Sequence, residues 1–408
     1  MNRLTWRFSA FDSWFFRESR PFDVIGGSEL SSVFPPSPAT MAGAIRSAIG
    51  DYLGVEWRNY PGGYPELQDR IGDSDSLGKM AIKGIFLSRK NPGSDHWERL
   101  YPVPADLVAT HEKAKLKELH FLQVGKPVHC DLGKQVCLAV APKAIKGIKA
   151  LEDYWLTQSG LAKVLNGKTD LVVKKAKIEQ YDLIHSEVLF TNEARLGIAR
   201  SNQSRTAVQG NLYQTQHIRP AESVAIEVDV EGLEAGDYRT PGMVRLGGEG
   251  RAAAFEVFAT NKSLAQIEFG EAETLGIKLV LLSAIHVTQA DSKEPPQNKI
   301  YTPLPNFEPS EQDGETVWCG KIGDIALTLH CAVIGKVLRE GGWDVRKATP
   351  KPVQSLLPAG SVFYCKVTNS NGDIQEALQA LQSAQLDNGN ALDKALGRGL
   401  VTVAPWFK

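Results

Sequence analysis

The sequence LGGEGRAAAFEVF at residues 246–258 places a glycine-rich loop directly before a strand-like run. The same plan returns at residues 396–403, LGRGLVTV, after a segment that begins like a capped helix. Asp373 and Glu376 stand at the spacing of a capping box at the start of that segment. Because both segments end in a glycine-arginine loop and a strand, a duplicated βαββαβ unit is the simplest interpretation.

Hydrophobic periodicity elsewhere indicates an α+β chain. Apolar residues at every second position of residues 4–10 predict an opening strand, and residues 224–230 follow the same pattern. Residues 39–54 carry apolar side chains four apart, which predicts an amphipathic helix. We also predict helices near residues 148–156 and across residues 325–339, and strands at residues 252–258, 277–283, 361–367 and 400–403.

Length and composition bound the class of protein. The chain has 408 residues, of which 42% are apolar and 23% charged, so it is long enough for two folded domains and is not disordered overall. With 46 basic against 47 acidic residues the net charge is −1, so any nucleic-acid binding must come from a local patch. The 5 cysteines include no C-x-x-C pair, which argues against a disulfide framework and a thiolate zinc site. With no export signal or membrane-length apolar stretch, we expect a cytoplasmic protein without a membrane partner.

Two domains are expected, at residues 1–260 and 261–408, with insertions in the first at about residues 55–180. The lysines between residues 111 and 180 fit no motif. They leave three interpretations open: contact with RNA, contact with a protein partner, or simple solvation.

The segment at residues 195–219 contains four arginines and one histidine but no Asp, Glu or Lys. Arginine pairs bidentately with phosphate, amides reach base edges, and a carboxylate here would repel a nucleic-acid backbone. The segment therefore predicts a phosphate-facing hairpin. The alternative is a solvated hairpin that happens to lack acids.

Aromatic residues and arginines are mixed at residues 1–22, a combination that suits single-stranded RNA because bases stack on aromatic rings. The rings of residues 4–10 face inward on the predicted strand, however, and those of residues 14–16 also suit a core. Arg17 and Arg20 remain as ligand candidates.

Three further places could hold an anion. The helix start at Ser37, with Arg46 on its second turn, is either an anion site or a simple N-cap. The two glycine loops allow close backbone approach to a ligand, and each carries arginine: Arg245 and Arg251 at the first, Arg398 at the second.

Signatures of common active sites are missing from the sequence. No segment fits a phosphate-binding loop, a nucleophile elbow or the spacing of a zinc site. His217, inside the arginine segment, is the one candidate for a general acid or base. A lone histidine there more often contacts phosphate or packs against the hairpin.

As a set, these motifs resemble the third Cmr subunits, which are RAMP-superfamily proteins of type III-B CRISPR effector complexes. The stretches that carry the resemblance are DSWFFRESRPF (residues 12–22), PPSPATMAGAIR (35–46), RLGI (195–198), GNLY (210–213) and LGGEGR (246–251). The resemblance implies two ferredoxin-like (RRM-like) domains with glycine-rich loops, no nuclease activity and no cofactor or metal. It also implies that the partners are the 5′ tag of the guide RNA (crRNA), the large polymerase-like Cmr subunit and an adjacent RAMP backbone subunit.

On this resemblance, the candidates for contact with the guide are Arg17, Arg20, Ser37, Arg46, Arg195, Arg200, Arg205, Tyr213, Arg245, Gly247, Gly248, Gly250, Arg251, Gly397, Arg398 and Gly399. Two other functions stay open. One is a RAMP-type endonuclease that processes repeat RNA with His217 as acid or base, and the other is a scaffold whose arginines meet acidic protein surfaces.

Overall fold

The computed structural model describes residues 3–19, 29–91, 93–112, 115–130, 133–142, 145–173, 181–201, 203–260, 273–286, 302–344, 349–368 and 373–407. Within these ranges the chain is a mixed α/β protein that is rich in strands and has few helices. The helices are α1 (Pro38–Tyr52), α2 (Pro65–Ile71), α3 (Gln158–Leu165), α4 (Ile374–Leu381) and α5 (Ala391–Ala395).

The strands run through the whole described chain. Up to residue 200 they are β1 (Leu4–Ala10), β2 (Glu29–Leu30), β3 (Ala81–Lys90), β4 (Trp97–Pro102), β5 (Leu107–Glu112), β6 (Lys115–Phe121), β7 (Gln123–Cys130), β8 (Gly133–Val140), β9 (Lys149–Ala150), β10 (Tyr154–Leu156), β11 (Leu183–His185) and β12 (Phe190–Arg200). Beyond it they are β13 (Ala207–Pro220), β14 (Val224–Glu231), β15 (Gly242–Arg245), β16 (Ala252–Ala259), β17 (Thr274–Leu281), β18 (Ile285–His286), β19 (Phe307–Gln312), β20 (Glu315–Ile322), β21 (Ile325–Val333), β22 (Leu338–Glu340), β23 (Trp343–Asp344), β24 (Thr349–Pro350), β25 (Gln354–Leu357), β26 (Val362–Val367) and β27 (Val401–Phe407).

The first of two units comprises residues 1–99, 186–261 and 339–354. Its main sheet has the order β3-β14-β1-β16-β15, and every neighbouring pair is antiparallel. Trp6 and Phe8 are fully buried on β1, which confirms the strand predicted from alternation. The predicted helix is also confirmed, since α1 begins with Pro38 in its first turn and the Ser37 side chain as its cap.

A smaller sheet in this unit, of order β12-β13-β2, carries the predicted arginine hairpin as two long antiparallel strands.

The second unit comprises residues 100–185, 262–338 and 355–408. Its main sheet has the order β19-β20-β21-β26-β17-β27, again with antiparallel neighbours throughout. Helix α4 packs against β17 and β27. Its apolar face, Leu378 and Leu381, joins Leu279, Phe363 and Val403 in the core of the unit.

Three predictions about elements differ from the structure. The helix predicted across residues 325–339 is wrong, because residues 325–333 form β21 and pair with β20 and β26. The helix predicted near residues 148–156 is also wrong, since the chain forms β9 and β10 there and α3 begins only after the Thr157 cap. Strand β3 lies inside the predicted insertion, yet it belongs to the main sheet of the first unit.

The two units cut across the predicted domain ranges 1–260 and 261–408, because residues 100–185 belong to the second unit. The domain ranges themselves stay a prediction. In the described part of the chain, no helix combines the length and hydropathy needed to cross a bilayer.

Candidate nucleic-acid interface

The hairpin β12–β13 places two arginines and one glutamate on the same side of the first unit. Glu193 and Arg195 are two residues apart on β12, so their side chains leave the same face of the strand. Arg219 lies on β13 opposite Thr191, diagonal to Glu193 and within reach of a long side chain. We call Asp12, Glu193, Arg195, Arg219 and Arg251 the arginine cluster.

Asp12 joins the members of the arginine cluster. Its carboxylate accepts from Arg195 Nη2 at 2.8 Å, lies 2.6 Å from Arg219 Nη1, and accepts from Arg251 Nη1 at 3.1 Å. Glu193 accepts from Arg195 Nε at 2.7 Å and from Arg219 Nε at 2.5 Å. The two carboxylates thus hold the guanidinium groups in a fixed arrangement on a partly exposed surface.

The arginine cluster carries one net positive charge, since three guanidinium groups face two carboxylates. Hydrogen bonds from Arg195 and Arg219 lower the pKa of Asp12 to about 2. Hydrogen bonds from the same arginines, that of Arg219 first, lower the pKa of Glu193. Both carboxylates are therefore ionised at neutral pH, and an incoming anion meets oriented donors.

The first glycine loop adds Arg251 to the arginine cluster. Gly248 N donates to Phe15 O at 2.8 Å, and Leu246 N donates to Arg251 O at 2.9 Å, so the loop is tied down at both ends. Gly247 has a φ of 87°, and a Cβ there would lie 2.7 Å from Phe15 O. Only glycine adopts this φ and comes this close to Phe15 O without strain. Glycine at position 247 therefore lets the loop pack closely beside the hairpin.

His217 lies beneath the arginine cluster and is only 1% exposed. Its Nδ1 is 3.2 Å from Ser13 Oγ, and its ring stacks on Phe15 with 5.2 Å between centroids. Burial lowers the pKa of His217, and the charges of Arg251 and Arg195 lower it further. In this structure the side chain is a buried neutral group that packs the loop against the hairpin.

Two candidates at the start of α1 serve the protein itself. Ser37 Oγ accepts from Thr40 N at 3.2 Å, which is the simple N-cap that the sequence left open. Arg46 donates from Nε to Ile71 O at 2.6 Å and from Nη2 to Ser76 O. These bonds hold the end of α2 and the chain that follows it. The geometry therefore favours an N-cap at Ser37 and an anchoring role for Arg46 over an anion site.

The second glycine loop differs from the first, because Gly397, Arg398 and Gly399 are all buried. Arg398 is 3% exposed, and its Nε lies 3.1 Å from Asp393 Oδ1. A Cβ on Gly399 would lie 2.6 Å from Ile285 Cδ1. In this structure the second loop is buried and its arginine pairs with a local carboxylate, whereas the first loop is exposed, and guide contact by the second loop stays a prediction.

The remaining candidates are spread over the first unit. Arg17, Arg205 and Arg245 are exposed, whereas Tyr213 is half-buried and faces Gly197, where a Cβ would lie 2.3 Å from its ring. Gly250 is exposed in the first loop. Arg20 and the side chain of Arg200 lie outside the described residues.

The acidic members of the arginine cluster were not predicted, and Arg219, although it lies in the predicted phosphate-facing segment, was not among the candidates for guide contact. Glu193 could have been found, because its spacing of two from Arg195 on a strand puts both side chains on one face. Asp12 is 183 residues from Arg195, and nothing in the local sequence connects them.

Comparison with known proteins adds a family and several similar structures. Residues 6–406 match the family described as "CRISPR-associated protein (Cas_Cmr3)". No curated protein sequence matches the chain. One similar chain comes from "Cryo-EM structure of the Type III-B Cmr-beta bound to cognate target RNA and AMPPnP, state 1", with 15% identity, a TM-score of 0.44 and coverage of 88% of this chain and 85% of the other. Another comes from "Crystal structure of Csm3-Csm4 subcomplex in the type III-A CRISPR-Cas interference complex", with 12% identity, a TM-score of 0.36 and coverage of 90% and 93%.

Proposed function

Because the chain belongs to the Cas_Cmr3 family of CRISPR-associated proteins, it is a subunit of the type III-B Cmr effector, and we propose that it grips the 5′ tag of the guide RNA there. On this proposal the protein organises the guide and does not cut RNA, while the guide reads the target by base pairing. The proposed neighbours are the large polymerase-like Cmr subunit and an adjacent RAMP backbone subunit. The proposed compartment is the prokaryotic cytoplasm.

The arginine cluster is the observation that carries this proposal. Arg195, Arg219 and Arg251 converge on Asp12 and leave one positive charge in excess on a partly exposed surface. Their orientation is already fixed, so they lose little side-chain freedom when a phosphate binds. The adjoining loop brings backbone close to the same surface through Gly248 and Gly250. Both features suit a sugar-phosphate chain better than a neutral ligand.

We also propose that each main sheet derives from a ferredoxin-like βαββαβ module. In the first unit β3-β14-β1-β16 are the second, third, first and fourth strands in chain order, and α1 follows β1. In the second unit β21-β26-β17-β27 repeat this order, and α4 follows β26. This shared order supports a duplicated module.

The burial of the His217 side chain argues against the alternative function, a repeat-RNA endonuclease. A scissile phosphate would have to displace both the Phe15 ring and the Ser13 hydroxyl to reach the imidazole. A general acid or base must lie within hydrogen-bond reach of the reacting group. The histidine therefore fits a packing role.

An RNA-binding measurement tests the proposed function. We expect the full chain to bind a fluorescent single-stranded RNA of the tag sequence in an anisotropy titration. Arg195→Ala combined with Arg219→Ala should weaken binding about tenfold or more, because two phosphate partners are lost. Arg58→Ala, at an exposed arginine of the same unit outside the arginine cluster, is the matched control and should bind like the wild type. Equal affinity of all three proteins would contradict the proposal.

A cleavage assay addresses the alternative. Labelled repeat RNA incubated with the full chain, without added metal, should remain intact. Cleavage at one position that disappears in His217→Ala would favour the endonuclease instead.

A further inference from the structure

Phe11 differs from the other aromatic residues near the start of the chain. Trp6, Phe8 and Trp14 are fully buried, and the next two rings, at residues 15 and 16, are nearly so. Phe11 is 60% exposed. Among the aromatic side chains of residues 4–16, Phe11 is therefore the one whose ring a ligand could reach from solvent.

The backbone around Phe11 is fixed on both sides. Ala10 pairs with Ala253 at the end of β1, and Trp14 N donates to Ile218 O at 2.8 Å. The exposed ring therefore sits on a short turn between two anchored points and not on a fraying end.

Phe11 directly precedes Asp12, the residue that joins the arginine cluster. Consecutive Cα atoms are about 3.8 Å apart, so the ring starts within one nucleotide's reach of Arg195, Arg219 and Arg251. The structure thus brings together an exposed aromatic side chain and three oriented guanidinium groups.

We propose that Phe11 is a stacking platform for one unpaired base of an RNA strand whose phosphate binds the arginine cluster. This inference rests on the proposed function and adds a base contact to it. An anionic polymer matches the three guanidinium groups beside the ring better than an apolar protein surface does, so RNA is the occupant. Stacking of this kind holds a base in place without selecting its identity.

The test uses the full chain and short single-stranded RNAs of the tag sequence, each with 2-aminopurine at a different position. Stacking quenches 2-aminopurine fluorescence, so one position should be quenched on binding. Phe11→Ala should restore that fluorescence and weaken affinity about tenfold, whereas Phe11→Tyr should keep both. Tyr52→Ala is the matched control, because Tyr52 is an exposed aromatic residue on α1, outside the arginine cluster.

The outcomes separate this inference from the proposed function. If Phe11→Ala binds and quenches like the wild type while Arg195→Ala with Arg219→Ala loses RNA, the platform is overturned and the proposed function stands. If Phe11→Ala leaves RNA binding intact but weakens assembly with another Cmr subunit, the ring is a protein contact and the inference is overturned. If the wild-type chain binds no RNA, the proposed function fails and the platform fails with it.

Discussion

Asp12 forms ion pairs with three arginine side chains, so this one carboxylate orients the guanidinium groups and lowers the net charge of the arginine cluster. Since its pKa is lowered to about 2, the carboxylate stays ionised throughout the physiological range. It occupies the kind of position that a phosphate oxygen takes between guanidinium groups. On the proposed function, an RNA phosphate would therefore compete with Asp12 for the same donors.

Replacing Asp12 by asparagine tests this competition. Asp12→Asn raises the net charge of the arginine cluster by one while the amide oxygen still accepts a hydrogen bond, so RNA affinity at low salt should increase by about threefold to tenfold. Anisotropy titration with the tag RNA measures the effect, and Asp51→Asn, at an exposed aspartate of α1, is the control. A loss of affinity would mean that the carboxylate positions the arginines and does not compete with RNA.

Asp106 is a residue of the second unit whose fully buried carboxylate depends on two partners. Lys278 Nζ donates to Asp106 Oδ2 at 3.0 Å, and the Tyr364 hydroxyl donates to it at 2.8 Å. Burial, and then the negative charge of Asp106, raise the pKa of Tyr364, so the hydroxyl remains a donor.

Removing the lysine should be costly because it leaves a buried carboxylate without a counter-charge. We expect Lys278→Met to lower the free energy of unfolding by about 3–5 kcal/mol, and Lys278→Met with Asp106→Leu to recover most of the loss. Urea unfolding measures both, and Lys366→Met, at an exposed lysine on the same sheet, should change stability by less than about 0.5 kcal/mol. An unchanged stability of Lys278→Met would show that the pair contributes nothing.

The arginines of the site were predictable from the sequence, but their acidic partners were not. Arg195 and Arg219 stand out because they begin and end a segment, residues 195–219, that contains no carboxylate. Asp12 is distant in sequence, and it reaches the hairpin because β1 pairs with β14 and β16 and the turn that follows pairs Trp14 with Ile218 of β13. The ion pair of Arg398 with Asp393 was not predicted either, because it needs the turn after α5.

Among the elements, the loop between β15 and β16 joins the sheet to the arginine cluster. Gly247→Ala should lower the free energy of unfolding by about 1–2 kcal/mol from its left-handed backbone alone. The new Cβ would also meet Phe15 O, which should displace Arg251 and weaken RNA binding.

Gly250→Ala is the matched comparison for that loop. It has a similar φ of 66°, but a Cβ there meets nothing within 4 Å. Urea unfolding and anisotropy on the two variants separate backbone strain from the close approach to Phe15. Equal loss of RNA affinity in both would contradict a specific role for that approach.

Elements with strong local signals could be predicted, and those decided by pairing could not. Alternating apolar residues predict strand β1. The Asp373 cap, which accepts hydrogen bonds from Gln375 N and Glu376 N, marks the start of helix α4. Residues 325–333 fit both periods, because apolar residues lie four apart and also two apart. Pairing with β20 and β26 makes this segment a strand, and those contacts are not visible in a local window.

At the scale of the whole molecule, 46 basic and 47 acidic residues nearly cancel. Long-range attraction of a polyanion by the chain as a whole is therefore small, and a local surface must supply the binding energy. The dependence of RNA affinity on salt thus counts the phosphates that this surface neutralises.

If Arg195, Arg219 and Arg251 each neutralise one phosphate, log affinity against log salt should fall with a slope of about −2, since each contact with a single strand contributes about −0.7. Arg195→Ala with Arg219→Ala should reduce the slope to about −0.7 and leave Arg251 as the remaining contact. Titration of the full chain with tag RNA between low and physiological salt measures both slopes. A scaffold whose arginines meet acidic protein surfaces would show little RNA affinity at any salt concentration. If the double substitution left the slope unchanged, RNA would bind outside the arginine cluster. Because the net charge is close to zero, local basic surfaces set the slope, and the change of slope in the double variant measures the part that belongs to the arginine cluster.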